Sequence, residues 1–300
     1  MPREGAPWSR QWHTHAVKGE CNANQVLGIE RVAPCTGKGY LVYGGDTTCL
    51  ELRTKNDAII IVDAGSGIRR LGNSLIEEGR FEYDFLFTHA HWDHLMGFPF
   101  FKPLFMQEAR LHMQGCPYAR EYVKKLISRV MAPPNFPIRP SDIKARLEYG
   151  DECALSFQID TLTVTPIGLT HPNRGSGYRF EEDGKAFVFL TDNELDHPHV
   201  GGLAFEEYRD FVSGVDVLYH DAEYTPEEYE RTRGWGHSVY TRVLDLGLEA
   251  GVGALGLFHL NQDRSDDGVD RVVNDSRRVI RERGGGMDCF AVAQDMVMTV

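Results

Sequence analysis

The chain has 300 residues, 42% hydrophobic and 25% charged, an ordinary globular composition with length for one large domain or two small ones. Its formal net charge is −12, which argues against a broad basic surface that would grip duplex DNA or an anionic membrane. An anionic substrate stays open, because bound metal cations can be the largest local charges in a site.

The six cysteines, Cys21, Cys35, Cys49, Cys116, Cys153 and Cys289, form no C-x-x-C pair. Neither a zinc ribbon nor a thioredoxin-type motif is expected, and scattered single cysteines fit a reducing compartment. No apolar run reaches the length of a membrane span. The N-terminal MPREGAPWSRQWHTHAVKGE lacks the apolar stretch of a secretory signal. The expectation is a cytoplasmic protein.

In chain order, residues 1–24 show no period and read as an extended arm before a single domain over 25–300. TCLELRT (48–54) and AIIIVDA (58–64) read as two strands with KND as the turn. GSG (65–67) ends the second. IRRLGNSLIEEG (68–79) places Ile68, Leu71, Leu75 and Ile76 at helical spacing and stops at Gly79. YDFLFT (83–88) is a short buried-type strand that runs directly into HAHWDH. A helix is expected over 119–131, then a proline-rich loop, APPNFPIRP (132–140), open to two readings: a lid or a rigid surface loop. Residues 145–170 read as strands and turns. GYRFEEDGKAFVFLTD (177–192) is a hairpin around EEDGK. VDVLYHDAEY (215–224) gives another strand, HSVYTRVLDLGLEAGV (237–252) a helix, and GALGLFHL (253–260) a final strand. No repeat of fixed period is visible. The pattern suggests two β-rich halves face to face with helices outside, a four-layer arrangement.

THAHWDH (88–94) packs His89, His91, Asp93 and His94 into six residues at a strand end. Imidazole nitrogen and carboxylate oxygen suit zinc and similar divalent ions. One site does not need four ligands so close together; two adjacent sites would. Remote ligands must complete them, and His171 in GLTHPN, Asp192 in FLTDNE and His259 in GLFHLN lie at the ends of other apolar strands.

With these residues in view, the chain resembles the metallo-β-lactamase superfamily, whose signature is H-x-H-x-D-H followed by a His, an Asp and a final His. The resemblance implies an αββα four-layer sandwich of the α/β class. His89, His91 and His171 would hold one divalent ion, Asp93, His94 and His259 a second, and Asp192 would bridge them. The bridging carboxylate argues against true β-lactamases, which usually carry a Cys near that point. His91 argues against the di-iron flavoprotein branch, which typically has Glu there. The implied metal is zinc first, with manganese or iron also compatible.

Further segments resemble the ribonuclease Z and cyclic-phosphodiesterase branch: GGDTTCLEL (44–52), IIVDAGSGIRRLG (60–72), HPNRGSGYRFEEDGKAFVFLTDNE (171–194), HDAEY (220–224) and GHS (236–238). The resemblance implies a proton-handling pair, Asp221 with His237, and counts Asp93 among the catalytic residues. His237 could instead cap the helix that follows it. Asp63 would orient the ligand loop or simply turn the strand end. Arg174, Tyr178 and Arg179 sit beside the third ligand, and an arginine there could clamp a phosphate or lie solvated on the hairpin. His13, His15, His112, His197, His199 and His220 read as structural or surface groups.

One departure matters. Short-form ribonuclease Z carries a tRNA-gripping arm between the third His motif and the bridging Asp. Here twenty residues separate His171 from Asp192, all within one hairpin. The expectation is therefore a binuclear metal-dependent hydrolase of small or cyclic phosphodiesters, with a small anionic substrate and a homodimer like those common among arm-less relatives. A glyoxalase II-like thioesterase and a ribonuclease acting on single-stranded RNA are the alternatives.

Overall fold

The computed structural model describes residues 23–28, 31, 33–114, 119–134, 136–150 and 155–300. The arm assigned to residues 1–24 lies almost entirely outside them, although Ala23 and Asn24 already open the first strand. Cys21, Cys116, Cys153, His13 and His15 are also outside. Cys35, Cys49 and Cys289 are free thiols.

The first half of the chain supplies β1 (Ala23–Gly28), β2 (Cys49–Arg53), β3 (Ile59–Val62), α1 (Ile68–Glu77), β4 (Glu82–Leu86), α2 (Trp92–Leu95), β5 (Arg110–Met113), α3 (Ala119–Val130) and β6 (Arg146–Tyr149). The second supplies β7 (Phe157–Ile159), β8 (Leu162–Gly168), β9 (Ser176–Glu182), β10 (Lys185–Leu190), α4 (Phe205–Phe211), β11 (Val217–Asp221), α5 (Pro226–Thr232), α6 (Tyr240–Ala250), β12 (Ala254–Phe258), α7 (Asp266–Glu282), β13 (Asp288–Ala291) and β14 (Met296–Thr299). They form two seven-stranded mixed sheets, ordered β14-β1-β2-β3-β4-β5-β6 and β13-β12-β11-β10-β9-β8-β7. β3 to β6 run parallel, as do β10 to β13, and helical crossovers join them.

Local chemistry accounts for these elements. In β3, Ile60 and Val62 face one way and Ile59 and Ile61 the other, and all four are buried. A strand covered on both faces reads as an unbroken apolar run. Asp183 and Gly184 both take positive φ, 49° and 81°, and close β9 onto β10 as a two-residue turn between Glu182 and Lys185. Pro226 starts α5 behind a capping box, in which Thr225 Oγ1 accepts from the Glu228 amide and Glu228 from the Thr225 amide.

Alternation along the strands sorts the core into three layers. Leu50, Leu52, Ile60, Val62 and Leu86 of one sheet meet Tyr178, Phe180, Phe187, Phe189, Tyr219 and Phe258 of the other. Behind the first sheet, Ile59, Ile61 and Phe85 pack on Ile68, Leu71 and Leu75 of α1. Behind the second, Val188, Leu218, Leu255 and Leu257 pack on α4, α6 and α7. This is the four-layer αββα arrangement expected from the sequence. The 132–140 loop lies against the first helical layer, where Phe136 meets Phe100 edge-on at 5.4 Å and Phe136 and Ile138 join the core behind that sheet. No helix among the described residues is long and apolar enough to cross a membrane.

Phe258 is fully buried between the sheets, edge-on to Phe189 and stacked with Tyr219. Replacing it with alanine is expected to cost about 3–5 kcal/mol of stability, measurable by urea unfolding at neutral pH.

Candidate metal centre

The strands that enter the site end at one edge of the sandwich. β4 delivers His89, His91, Asp93 and His94, β8 His171, β10 Asp192, β11 Asp221, and β12 His259. Asp63, Asp192 and His259, each just past a strand, take left-handed backbone with φ of 62°, 46° and 51°. Asp and His tolerate this region better than most residues, and it turns the chain sharply as the strand ends.

All seven residues named as ligands meet. Nε2 of His89, Nδ1 of His91, Nε2 of His171 and one Asp192 oxygen form one group, and Asp93, His94, Asp192 and His259 a second, with ligand atoms in each within 4.8 Å of one another. Asp192 belongs to both. Its Oδ2 lies 3.3 Å from His89 Nε2 and 3.5 Å from His171 Nε2. Its Oδ1 lies 3.3 Å from His94 Nε2 and 3.6 Å from His259 Nε2. His91 Nδ1 to His171 Nε2 is 3.1 Å, and Asp93 Oδ2 stands 3.3 Å from His94 Nε2 and 3.7 Å from His259 Nε2. Bonds of 2.0–2.2 Å to a tetrahedral ion place its ligands about 3.3–3.6 Å apart. The donor spacing therefore fits two such ions, and His89 Nε2 is buried without a hydrogen-bond partner.

The protonation states suit cations. Burial, reinforced by His89, pushes His91 down to about 4. Burial pushes His171 down to about 2 against the pull of Asp192. Neutral imidazole is the form that ligates. Burial alone would raise Asp93 and Asp192, but the imidazoles around them prevail and hold both carboxyls below the usual range.

Several of the imidazoles are also held from behind. Asp63 Oδ2 is 2.8 Å from His94 Nδ1 and accepts from the Thr88 hydroxyl, while Oδ1 accepts from the Thr88 amide. Asp63 therefore orients a ligand and its loop rather than only ending a strand. His171 Nδ1 is 2.8 Å from the Gly236 carbonyl. His237 Nδ1 is 2.8 Å from Asp221 Oδ2, which also accepts from the Asn193 amide. The cap of α6 is Val239, so His237 is not a capping residue. Burial lifts the Asp221 carboxyl, with His237 opposing. On His237, burial is outweighed by Asp221, and the imidazole is pushed up to about 9. A third acidic and imidazole group, Asp221, His237 and His259, shares His259 with the second.

Two supporting carboxylates escaped sequence reasoning. Glu223 Oε2 lies 2.9 Å from His259 Nδ1, and Glu194 anchors the loop that carries Gly236. Both occupy the last position of an Asp-x-Glu triplet at a strand end, DNE (192–194) and DAE (221–223), and that shared spacing was the available signal. Of the arginines considered as a phosphate clamp, Arg179 binds the Phe211 carbonyl and Glu181 instead, and neighbouring Tyr178 is buried and donates to the Phe87 carbonyl. Arg174 lies against Gly201. His112 contacts Glu82 and Glu148, His199 contacts Glu194, and buried His220 hydrogen-bonds to the Asp221 carbonyl and Asn193.

The family described as a beta-lactamase superfamily domain matches residues 59–260. The chain belongs to the metallo-β-lactamase superfamily. Ribonuclease Z of Thermococcus kodakarensis is 28% identical over 255 residues, covering 70% of this chain and 77% of its own. Among solved structures, unliganded yeast PDE1 matches with a TM-score of 0.66 at 14% identity, over 94% of this chain and 100% of its own. A diphosphatase from the PhnP family matches with a TM-score of 0.64 at 16% identity, over 93% and 98%. At those identities the two structures bear on the fold alone.

Asp63→Ala removes the carboxylate that holds His94 Nδ1 and leaves the weaker Thr88 hydroxyl contact at 3.2 Å. It is expected to weaken retention of an ion at the Asp93, His94 and His259 group by about 10–100-fold, read by chelator competition with the zinc-loaded protein.

Proposed function

We propose that the protein is a binuclear metal-dependent phosphodiesterase of small or cyclic phosphodiesters. One observation carries the reading: a single buried carboxylate, Asp192, faces two sets of imidazoles at coordination spacing, with the His237–Asp221 pair alongside. Divalent ions held there, zinc before manganese or iron, supply Lewis acidity toward a phosphoryl oxygen and an activated water near neutral pH. The chain's own residues do the rest. Asp192 fixes the two ligand sets at one separation. Asp93, His94 and His259 present neighbouring donors, kept in place by Asp63 and Glu223. His237 has Nδ1 engaged by Asp221, which leaves Nε2 to donate a proton to the departing oxygen. The name of one similar protein, a ribonuclease, denotes cleavage at phosphorus and supports this chemistry over thioester hydrolysis. The single hairpin between His171 and Asp192 supports a small substrate over tRNA.

The test is an assay of metal-reconstituted protein against bis-p-nitrophenyl phosphate, cyclic nucleotides, single-stranded RNA and a thioester. Phosphodiester turnover is expected, lost with chelator and restored by zinc or manganese. Thioester turnover without phosphodiester turnover would overturn the reading, and RNA as the sole substrate would replace it with a ribonuclease. His237→Ala is expected to lower kcat by about 10²–10⁴-fold while both ions remain bound by elemental analysis.

A further inference from the structure

Glu194 is fully buried, two residues beyond Asp192. Both its oxygens are saturated. Oε1 accepts from the Tyr229 hydroxyl at 2.6 Å and the Gly234 amide at 2.7 Å. Oε2 accepts from the Gly236 amide at 2.7 Å and His199 Nε2 at 2.7 Å. Four acceptances match the capacity of an ionised carboxylate. Burying such a charge is costly unless it is fully satisfied, and two of its four donors, the Gly234 and Gly236 amides, lie on one loop at either side of its tip residue Trp235.

That loop reaches the site twice. The Gly236 carbonyl holds Nδ1 of His171, leaving Nε2 toward His91 and Asp192. The next residue, His237, meets Asp221. Gly236 has φ of 99°, and a β-carbon there would collide with His171 and Pro172, so the backbone itself must press against the imidazole. The join continues one residue on, where Ser238 Oγ donates to the Asn193 carbonyl at 2.5 Å and accepts from the Leu195 amide at 3.1 Å. Residues 193–195 and 234–238 are thus pinned together, with the Glu194 carboxylate at the centre of the pin.

We propose that Glu194 is the positioning residue of the centre: by clamping the Gly234 and Gly236 amides, it sets the Nδ1–H tautomer of His171 and aligns His237 on Asp221. The metal-affinity part of this proposal rests on the binuclear reading above; the tautomer part does not.

Glu194→Gln preserves volume but replaces one acceptor oxygen with an NH2 group, so two of the four donors face a donor. Nitrogen-15 spectra of the histidine rings in the metal-free protein should show His171 as the Nδ1–H tautomer in wild type and a mixture in E194Q. In a two-step zinc titration, E194Q should weaken the step that His171→Ala removes by about 10–100-fold and leave the step that His259→Ala removes within about threefold. Tyr229→Phe takes one donor from Oε1 and spares Gly236; it should lower the melting temperature without moving the tautomer. Should E194Q not fold, Glu194→Asp keeps the charge but retracts it, and a smaller loss at the same step is expected. An unchanged His171 tautomer in the folded variant, or equal weakening of both steps, would overturn the proposal. Absence of zinc binding in wild type would overturn the binuclear reading instead, while the tautomer would still decide the role of Glu194.

Discussion

Everything at this edge of the sandwich hangs on one shared carboxylate. Asp192 is buried, ionised and turned so that each oxygen faces a different pair of imidazoles. A charge so placed is tolerable only if its surroundings compensate it, through polar partners or coordinated metal. The fold supplies a pocket where the ends of β4, β8 and β12 bring imidazoles to the carboxylate carried by β10. The two sheets are therefore more than a container. Their packing distance and the stagger of β4, β8, β10 and β12 set how far the donor sets stand from each other.

The supporting shell follows a common rule with different materials. His94 rests on Asp63, His259 on Glu223, His237 on Asp221, and His171 on a peptide carbonyl. Each contact occupies Nδ1 and frees Nε2. A ring held this way has one tautomer and one orientation, so the ligand geometry exists before any ion arrives. His171 differs because its support is backbone, and backbone can be placed only by placing a loop. The structure answers with a buried glutamate and two glycines at positive φ, Gly234 and Gly236.

Much of this was legible in the sequence, for identifiable reasons. The ligands could be read because they sit directly after apolar strands whose period is plain, and because His89 to His94 are crowded beyond the needs of one ion. The hairpin at 177–192 could be read from its Asp-Gly turn. β1, β5, β13, β14 and α7 drew no reading. β5 and β13 are only four residues long, and α7 is an acidic and basic helix whose apolar stripe, Val269, Val272, Val273 and Ile280, is thin. Capping chemistry at TPEE (225–228) announced α5 and went unused. Arg179 stood open between a phosphate clamp and a solvated hairpin charge, because sequence places it near His171 while only the folded strand shows its side chain reaching the backbone of α4 and Glu181. Beyond their shared Asp-x-Glu spacing, Glu194 and Glu223 carry no sign of their roles, which emerge only when distant loops are brought together.

From β14 inward, the first sheet runs three antiparallel pairings and then three parallel ones, and the second does the same from β7. The sequence shows no repeat, yet the molecule is one half-domain pattern used twice. Asp63 and Asp192 occupy matching places in it, each one or two residues after the fourth strand of its sheet and each left-handed. One copy of that corner steadies the His94 imidazole, and the other carries the carboxylate that both groups of imidazoles face. Because the edge strand of the first copy comes from the far end of the chain, as β14 beside β1, the twin halves are interlaced rather than merely adjacent.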